Sequence, residues 1–309
     1  MSLGWALPLL VVMQSRSAAV SPRPVAWAAQ SPRPSACQGS PGLWEVSRQA
    51  LLLRRCQELA RAQVLLMGAP DKALARAARL LKDAPDFAEA RVLHGRAALR
   101  VGDSATALAD LSSLLSIESV TVADPAALWD GGRAASAQGD AATAARFYRT
   151  LGSRAALLPE RRQQVAAYLE IAAALLAADG APVDDVLAYL REARRRSPGS
   201  GFSGLCAALT AVAWVSAGRE AEGQGLLAEI GDVDELERFE ARKEVWLPNG
   251  MFHALLGLAF ETSRPDVSKQ HYEALAKTPL AKTSVGRLSS RPRSRAAAQT
   301  AKSRAREGR

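Results

Sequence analysis

Apolar residues recur every three or four positions along most of the chain, which is the spacing of amphipathic helices. Residues 88–110 hold two such runs, separated by a Gly-Asp pair at 102–103. Residues 125–148 repeat this order, with the Gly-Asp pair at 139–140. Few windows alternate strictly between apolar and polar residues, so the pattern predicts paired helices and little or no sheet.

Each repeated residue type has a physical role in a helical hairpin. The glycine of the pair is expected to end the first helix in a left-handed conformation, and the aspartate to cap the second helix. Gly95 and Gly132 leave room for two antiparallel helices to approach closely. Such a hairpin cannot bury its apolar face alone, so several must stack. Further, looser hairpins are predicted over 165–196, 201–230 and 251–277.

These residues resemble the tetratricopeptide repeat, a helix–turn–helix unit of about 34 residues. Extended to a full repeat of residues 88–121, the first stretch departs from its pattern at Leu114 and Ser119, where alanine and proline are expected. The resemblance implies an all-α fold, a right-handed α-solenoid of stacked antiparallel hairpins over residues 44–283. The matching positions are Gly95, Gly102, Asp103, Ala107 and Leu111 in the first stretch, and Gly132, Gly139, Asp140, Ala144 and Tyr148 in the second.

In this family the first helix of each hairpin lines a concave groove that binds a partner peptide. Carried over position by position, the resemblance places Arg96, Arg100, Trp129 and Arg133 along that groove. Arginine and tryptophan often anchor protein interfaces, which points to a partner segment of acidic or aromatic character. The alternative is a solvated helix face with a tryptophan in a seam between repeats.

Composition narrows the class of protein. The chain has 309 residues, of which 48% are apolar and 23% charged, and its mean hydropathy is −0.06. This apolar fraction excludes a globally disordered chain. No run of about 18 uncharged apolar residues occurs, so a polytopic membrane protein is excluded too.

All of the excess positive charge lies in residues 277–309. Residues 277–309 carry ten basic side chains and one acid, Glu307, which leaves 30 basic and 30 acidic residues before them. Residues 284–309 are therefore predicted to form a basic disordered tail. Such a tail either keeps the protein soluble or makes a peripheral contact with an anionic membrane. It has no aromatic side chain on which a base could stack, so nucleic acid is not an expected partner.

The N-terminus suggests export. The run Leu3–Met13 is too short to span a bilayer but suits the core of a signal peptide, which is predicted over residues 1–28. Residues 29–43 form a linker rich in proline, glycine and serine. We therefore expect a periplasmic or secreted bacterial protein. The alternative is a floppy N-terminal extension on a cytoplasmic protein.

The three cysteines admit two interpretations. Cys37 and Cys56 are candidates for a disulfide that would close a loop of about twenty residues and add about 2–4 kcal/mol of stability. Cys206 lies in an apolar run and is interpreted as a small buried side chain. The alternative is three unrelated reduced thiols.

No recognisable nucleophile, phosphate-binding or metal-binding motif occurs in the chain. We therefore expect no catalytic residues, metal ligands or cofactor, and predict a non-catalytic scaffold or adaptor of the bacterial cell envelope that binds a partner protein through its groove. Two alternatives stay open. One is a cytosolic helical-repeat protein whose basic tail docks on nucleic acid or an anionic membrane, and the other is a helical-hairpin enzyme with an unrecognised site.

Overall fold

The computed structural model describes residues 37, 43, 47, 51–116, 124–178, 181–198, 201–228 and 244–290. The predicted signal peptide lies outside the described residues, as do most of the predicted linker and residues 291–309 of the predicted tail. All described residues belong to one compact unit.

The described residues are 76% helical and contain no strand. They form twelve α-helices of eight or more residues, in an all-helical architecture. The helices are α1 Leu52–Leu65, α2 Pro70–Asp83, α3 Ala88–Val101, α4 Ser104–Leu111, α5 Pro125–Ala137, α6 Ala141–Gly152, α7 Arg161–Ala177, α8 Val183–Arg196, α9 Ser203–Ser216, α10 Glu220–Ala228, α11 Met251–Ala259 and α12 Pro265–Leu275.

Consecutive helices pack in pairs, which confirms the predicted all-α arrangement of hairpins. The pairs are α1 with α2, α3 with α4, and so on to α11 with α12. The first helices of successive pairs also contact one another: α1 contacts α3, α3 contacts α5, α7 contacts α9, and α9 contacts α11. In these four cases the first helices of successive pairs therefore lie next to each other.

The turns within the repeated hairpins follow the sequence prediction. Gly102 and Gly139 have φ values of +92° and +74°, a left-handed conformation that few other residues adopt readily. Asp103 accepts a hydrogen bond from the backbone N–H of Thr106 at 3.0 Å. Asp140 accepts the equivalent bond at 2.9 Å. Both aspartates therefore cap the second helix of their hairpin.

Close helix approach is visible at Gly132 on α5. A Cβ atom at this position would lie 2.7 Å from Cζ of Tyr148 on α6. The Tyr148 ring therefore packs directly on the backbone of the partner helix, as the interpretation of Gly132 requires.

The main hydrophobic core runs from Leu111 to Leu288 and has α7 at its centre. Every residue from Val165 to Ala177 is buried, because other elements pack around this helix on all sides. The core also extends past the predicted domain boundary at residue 283. Val285 and Leu288 are buried within it, so residues 284–290 pack with the helices, although the charge pattern assigns them to the tail.

The cysteines lie in two different environments. Cys37 and Cys56 are joined by a disulfide across 19 residues of sequence. Cys206 is a free, buried thiol, as its apolar surroundings predict. Within the described residues, no helix is both long enough and apolar enough to cross a membrane.

Candidate functional site

The four residues predicted to line a groove lie on neighbouring first helices. Arg96 and Arg100 belong to α3, and Trp129 and Arg133 belong to α5. We call the surface that α3, α5 and α7 form together the first-helix face. The structure brings these residues together there through two carboxylates, Asp130 and Glu170.

Asp130 joins α3 to α5. Its Oδ2 atom accepts hydrogen bonds from Arg96 Nε at 2.8 Å and from Arg100 Nη1 at 3.1 Å. Arg96 Nη1 also donates to Asp124 Oδ2 at 3.0 Å. Burial disfavours the charged guanidinium of Arg96, but the two aspartates outweigh that effect and raise its pKa above the ordinary value.

Glu170 joins α5 to α7 and is fully buried. Its Oε2 atom accepts hydrogen bonds from Trp129 Nε1 at 2.6 Å, Arg133 Nε at 3.0 Å and the Tyr148 hydroxyl at 3.0 Å. Its Oε1 atom accepts one from Arg133 Nη2 at 2.6 Å. A buried charge is tolerated when it is paired and hydrogen-bonded in this way.

The protonation states of Tyr148 and Arg133 follow from their burial and from the adjacent Glu170 carboxylate. Burial and the adjacent Glu170 carboxylate hold the pKa of Tyr148 well above its ordinary value, so its hydroxyl stays neutral and donates. Burial disfavours the charged form of Arg133, but attraction to Glu170 prevails and raises the pKa of Arg133. Both side chains are therefore fixed donors, and neither is poised to exchange protons near neutral pH.

A segment of the same chain lies on the first-helix face. Residues 244–249, which we call the covering segment, precede α11 and have no regular secondary structure. The backbone N–H of Trp246 donates to Oε1 of Glu170 at 2.9 Å. Glu244 pairs with Arg162 on α7, with 2.7 Å between Oε2 and Nη2. Val245 is buried in the main core.

The Trp246 side chain anchors the covering segment. Its ring packs against a cluster that includes Leu99 on α3 and Ala134 on α5. The Arg133 guanidinium carbon lies 5.5 Å from the centre of the Trp246 ring and 4.0 Å from that of Trp129. Cation–π attraction at these distances adds to the packing.

The structure shows that Arg96, Arg100, Trp129 and Arg133 all bind other residues of their own chain. Their predicted role in binding a partner stays a prediction. Sequence reasoning missed Glu170 and Trp246 altogether. The sequence contains a feature that could identify Glu170, because it is the only charged residue in the run from Val165 to Ala177. A lone carboxylate in a buried helix requires partners.

Other polar clusters lie outside this face. His94 Nδ1 lies 2.6 Å from Asp110 Oδ2, which joins the two helices of one hairpin. His253 and His271 join α11 to α12, with 3.1 Å between their Nδ1 atoms. No group of three or more candidate metal ligands was found among the described residues.

No family model matches the chain, and no curated protein shows significant similarity to it.

Proposed function

We propose that this protein is a non-catalytic helical-repeat scaffold, similar to tetratricopeptide-repeat proteins, that binds a segment of a partner protein on its first-helix face. The hairpin order and the capped Gly-Asp turns support the family resemblance. In that family the stacked hairpins form a right-handed solenoid, and we propose that the hairpins of this chain do the same.

The proposal depends on one observation: the first-helix face already binds an irregular segment of the same chain, the covering segment. The face offers the three contacts that such a ligand needs. Glu170 accepts a backbone N–H. Leu99 and Ala134 border an apolar site for an indole. Arg162 pairs with an acidic side chain. These contacts serve binding, and they include no nucleophile next to a general base.

We further propose that the protein works in the bacterial cell envelope, as a periplasmic or secreted protein. The disulfide between Cys37 and Cys56 supports this location, because disulfides persist in oxidising compartments.

Affinity purification of the tagged chain from envelope fractions tests the proposal. Arg100→Ala removes a donor that is about one-quarter exposed, and Asp130 keeps Arg96 as its partner. The exposed Arg146 on α6 provides the matched control Arg146→Ala. We expect the wild type and the control to recover the same partner, and Arg100→Ala to recover about tenfold less, a loss of about 1.4 kcal/mol. Equal recovery by all three proteins, or catalytic turnover by the purified chain, would contradict the proposal.

A further inference from the structure

We infer that the covering segment competes with the partner segment for the first-helix face. We further infer that the partner segment has the same chemistry as the covering segment, which is an acidic residue, an apolar residue, a tryptophan and a second apolar residue in succession. This inference rests on the proposed function, and it names both the partner's chemistry and the regulation of the same face.

The receiving side of the face is assembled without the covering segment. Among the described residues, four of the five hydrogen bonds to Glu170 come from Trp129, Arg133 and Tyr148, which lie on α5 and α6. Only the backbone N–H of Trp246 comes from the covering segment. If the segment leaves, Oε1 of Glu170 keeps Arg133 as a partner. The site is therefore preorganised for another chain that presents a backbone N–H in the same place.

The contacts of the covering segment define what such a chain must carry. The backbone hydrogen bond to Glu170 is independent of sequence. The indole of Trp246 fills an apolar site beside Arg133, so a tryptophan is the best occupant. The ion pair between Glu244 and Arg162 selects an acidic residue two positions earlier. Val245 and Leu247 pack on the main core, which favours apolar residues on either side of the tryptophan.

A tethered competitor is hard to displace, because tethering gives it an effective concentration on the order of millimolar. A partner therefore needs at least one contact that the covering segment lacks. A cavity beside Pro248 and Asn249 supplies the place for it. Much of its lining is small and apolar, from side chains that include Ala141, Ala144, Ala174 and Ala177. An apolar residue at the position of Asn249 would fill this cavity and add buried area.

The test uses the full chain and two fluorescent peptides. One peptide spans residues 243–249, and the other carries leucine in place of the last asparagine. Trp246→Ser removes the anchor of the covering segment, and Trp214→Ser on α9 is the matched loss of a tryptophan elsewhere. We expect the Trp246→Ser chain to bind either peptide at least about tenfold more tightly than the wild type does. The Trp214→Ser chain should bind as the wild type does, and the leucine peptide should bind more tightly than the asparagine peptide.

Hydrogen exchange on the unaltered chain gives a second readout that does not depend on the folding of a variant. Saturation with the leucine peptide should accelerate exchange in fragments that cover residues 244–250. Equal binding by the wild-type and Trp246→Ser chains would overturn the inference, and so would exchange that the peptide leaves unchanged. Equal affinity of the two peptides would overturn the assignment of the cavity. A partner that depends on Arg100 but leaves this exchange unchanged would preserve the proposed function and overturn this inference.

Discussion

Arg133 on α5 and Glu170 on α7 form a bidentate ion pair, with Nε donating to Oε2 at 3.0 Å and Nη2 donating to Oε1 at 2.6 Å. Arg96 on α3 reaches Asp130 on α5 in a related way, although only its Nε donates to that carboxylate. Arg96 and Arg133 occupy corresponding positions in the repeat. Each binds a carboxylate on the first helix of the following hairpin. The carboxylate is more deeply buried in the Glu170 pair, so that pair is the more sensitive to loss of its partner.

Arg133→Ala should therefore destabilise the fold. The substitution leaves the Glu170 carboxylate buried without its charged partner, which typically costs about 3–5 kcal/mol. Urea unfolding of the variant beside the wild type measures the loss. The exposed control Arg146→Ala should stay within about 0.5 kcal/mol of the wild type. A loss below about 1 kcal/mol for Arg133→Ala would show that the ion pair does not hold α5 to α7.

The helix cap at Asp140 should make stability depend on pH. Hydrogen bonds from the backbone N–H and side chain of Thr143 hold the pKa of Asp140 below its ordinary value of 3.8. The stabilisation that Asp140 provides is therefore present when the pH is above the ordinary pKa of aspartate. It is lost as the pH falls through the lower pKa that Asp140 has in the folded chain. Because the side chain is mostly exposed, we expect the effect to be well under 1 kcal/mol.

Asp140→Asn isolates this effect, because asparagine also caps helices but does not titrate in this range. Urea midpoints measured between neutral pH and about pH 3 should fall less for the variant than for the wild type. Asp140→Ala should lose about 1 kcal/mol at neutral pH, since it removes the cap itself. Parallel pH curves for the wild type and Asp140→Asn would contradict the assignment.

The cysteines should differ in reactivity. Burial raises the pKa of Cys206 to about 11, and its thiol donates to the Leu190 carbonyl at 3.4 Å. The thiolate needed for alkylation is therefore scarce in the folded chain. We expect no iodoacetamide adduct on the native protein, one after denaturation, and three after denaturation with reduction. Mass spectrometry counts the adducts, and three adducts without reduction would exclude the disulfide between Cys37 and Cys56.

The local features of the fold could be predicted because they depend on short-range chemistry. The left-handed turn at Gly102 and the cap at Asp103 follow from residue types at fixed spacing within one hairpin. The positions of the later hairpins also follow from apolar periodicity, within a few residues of α7 to α12. Each of these features is decided by neighbours in the chain.

The occupation of the first-helix face could not be predicted in the same way. Trp246 reaches Glu170 across 76 residues of sequence, and neither residue lies in the two closely matching stretches, 88–110 and 125–148. Periodicity identifies which helices are amphipathic, but it does not show which irregular segment returns to cover one of them. The repeat pattern predicts that Arg133 lies on a first helix, and it lies on α5, but its partner Glu170 depends on how the next hairpin stacks.

Gly132 offers the sharpest test of the packing between α5 and α6. A methyl group there would lie 2.7 Å from Cζ of Tyr148, whose ring is fully buried and whose hydroxyl is bound to Glu170. The ring cannot move aside without breaking that hydrogen bond, so Gly132→Ala should cost about 1–3 kcal/mol even though alanine favours helices. Gly225 on α10 is the matched control, because a methyl group there meets nothing within 4 Å. Gly225→Ala should stabilise the chain by about 0.5–1 kcal/mol, so thermal unfolding of the two variants should shift in opposite directions. A shift of the same sign in both would mean that Tyr148 does not pack against α5 as described.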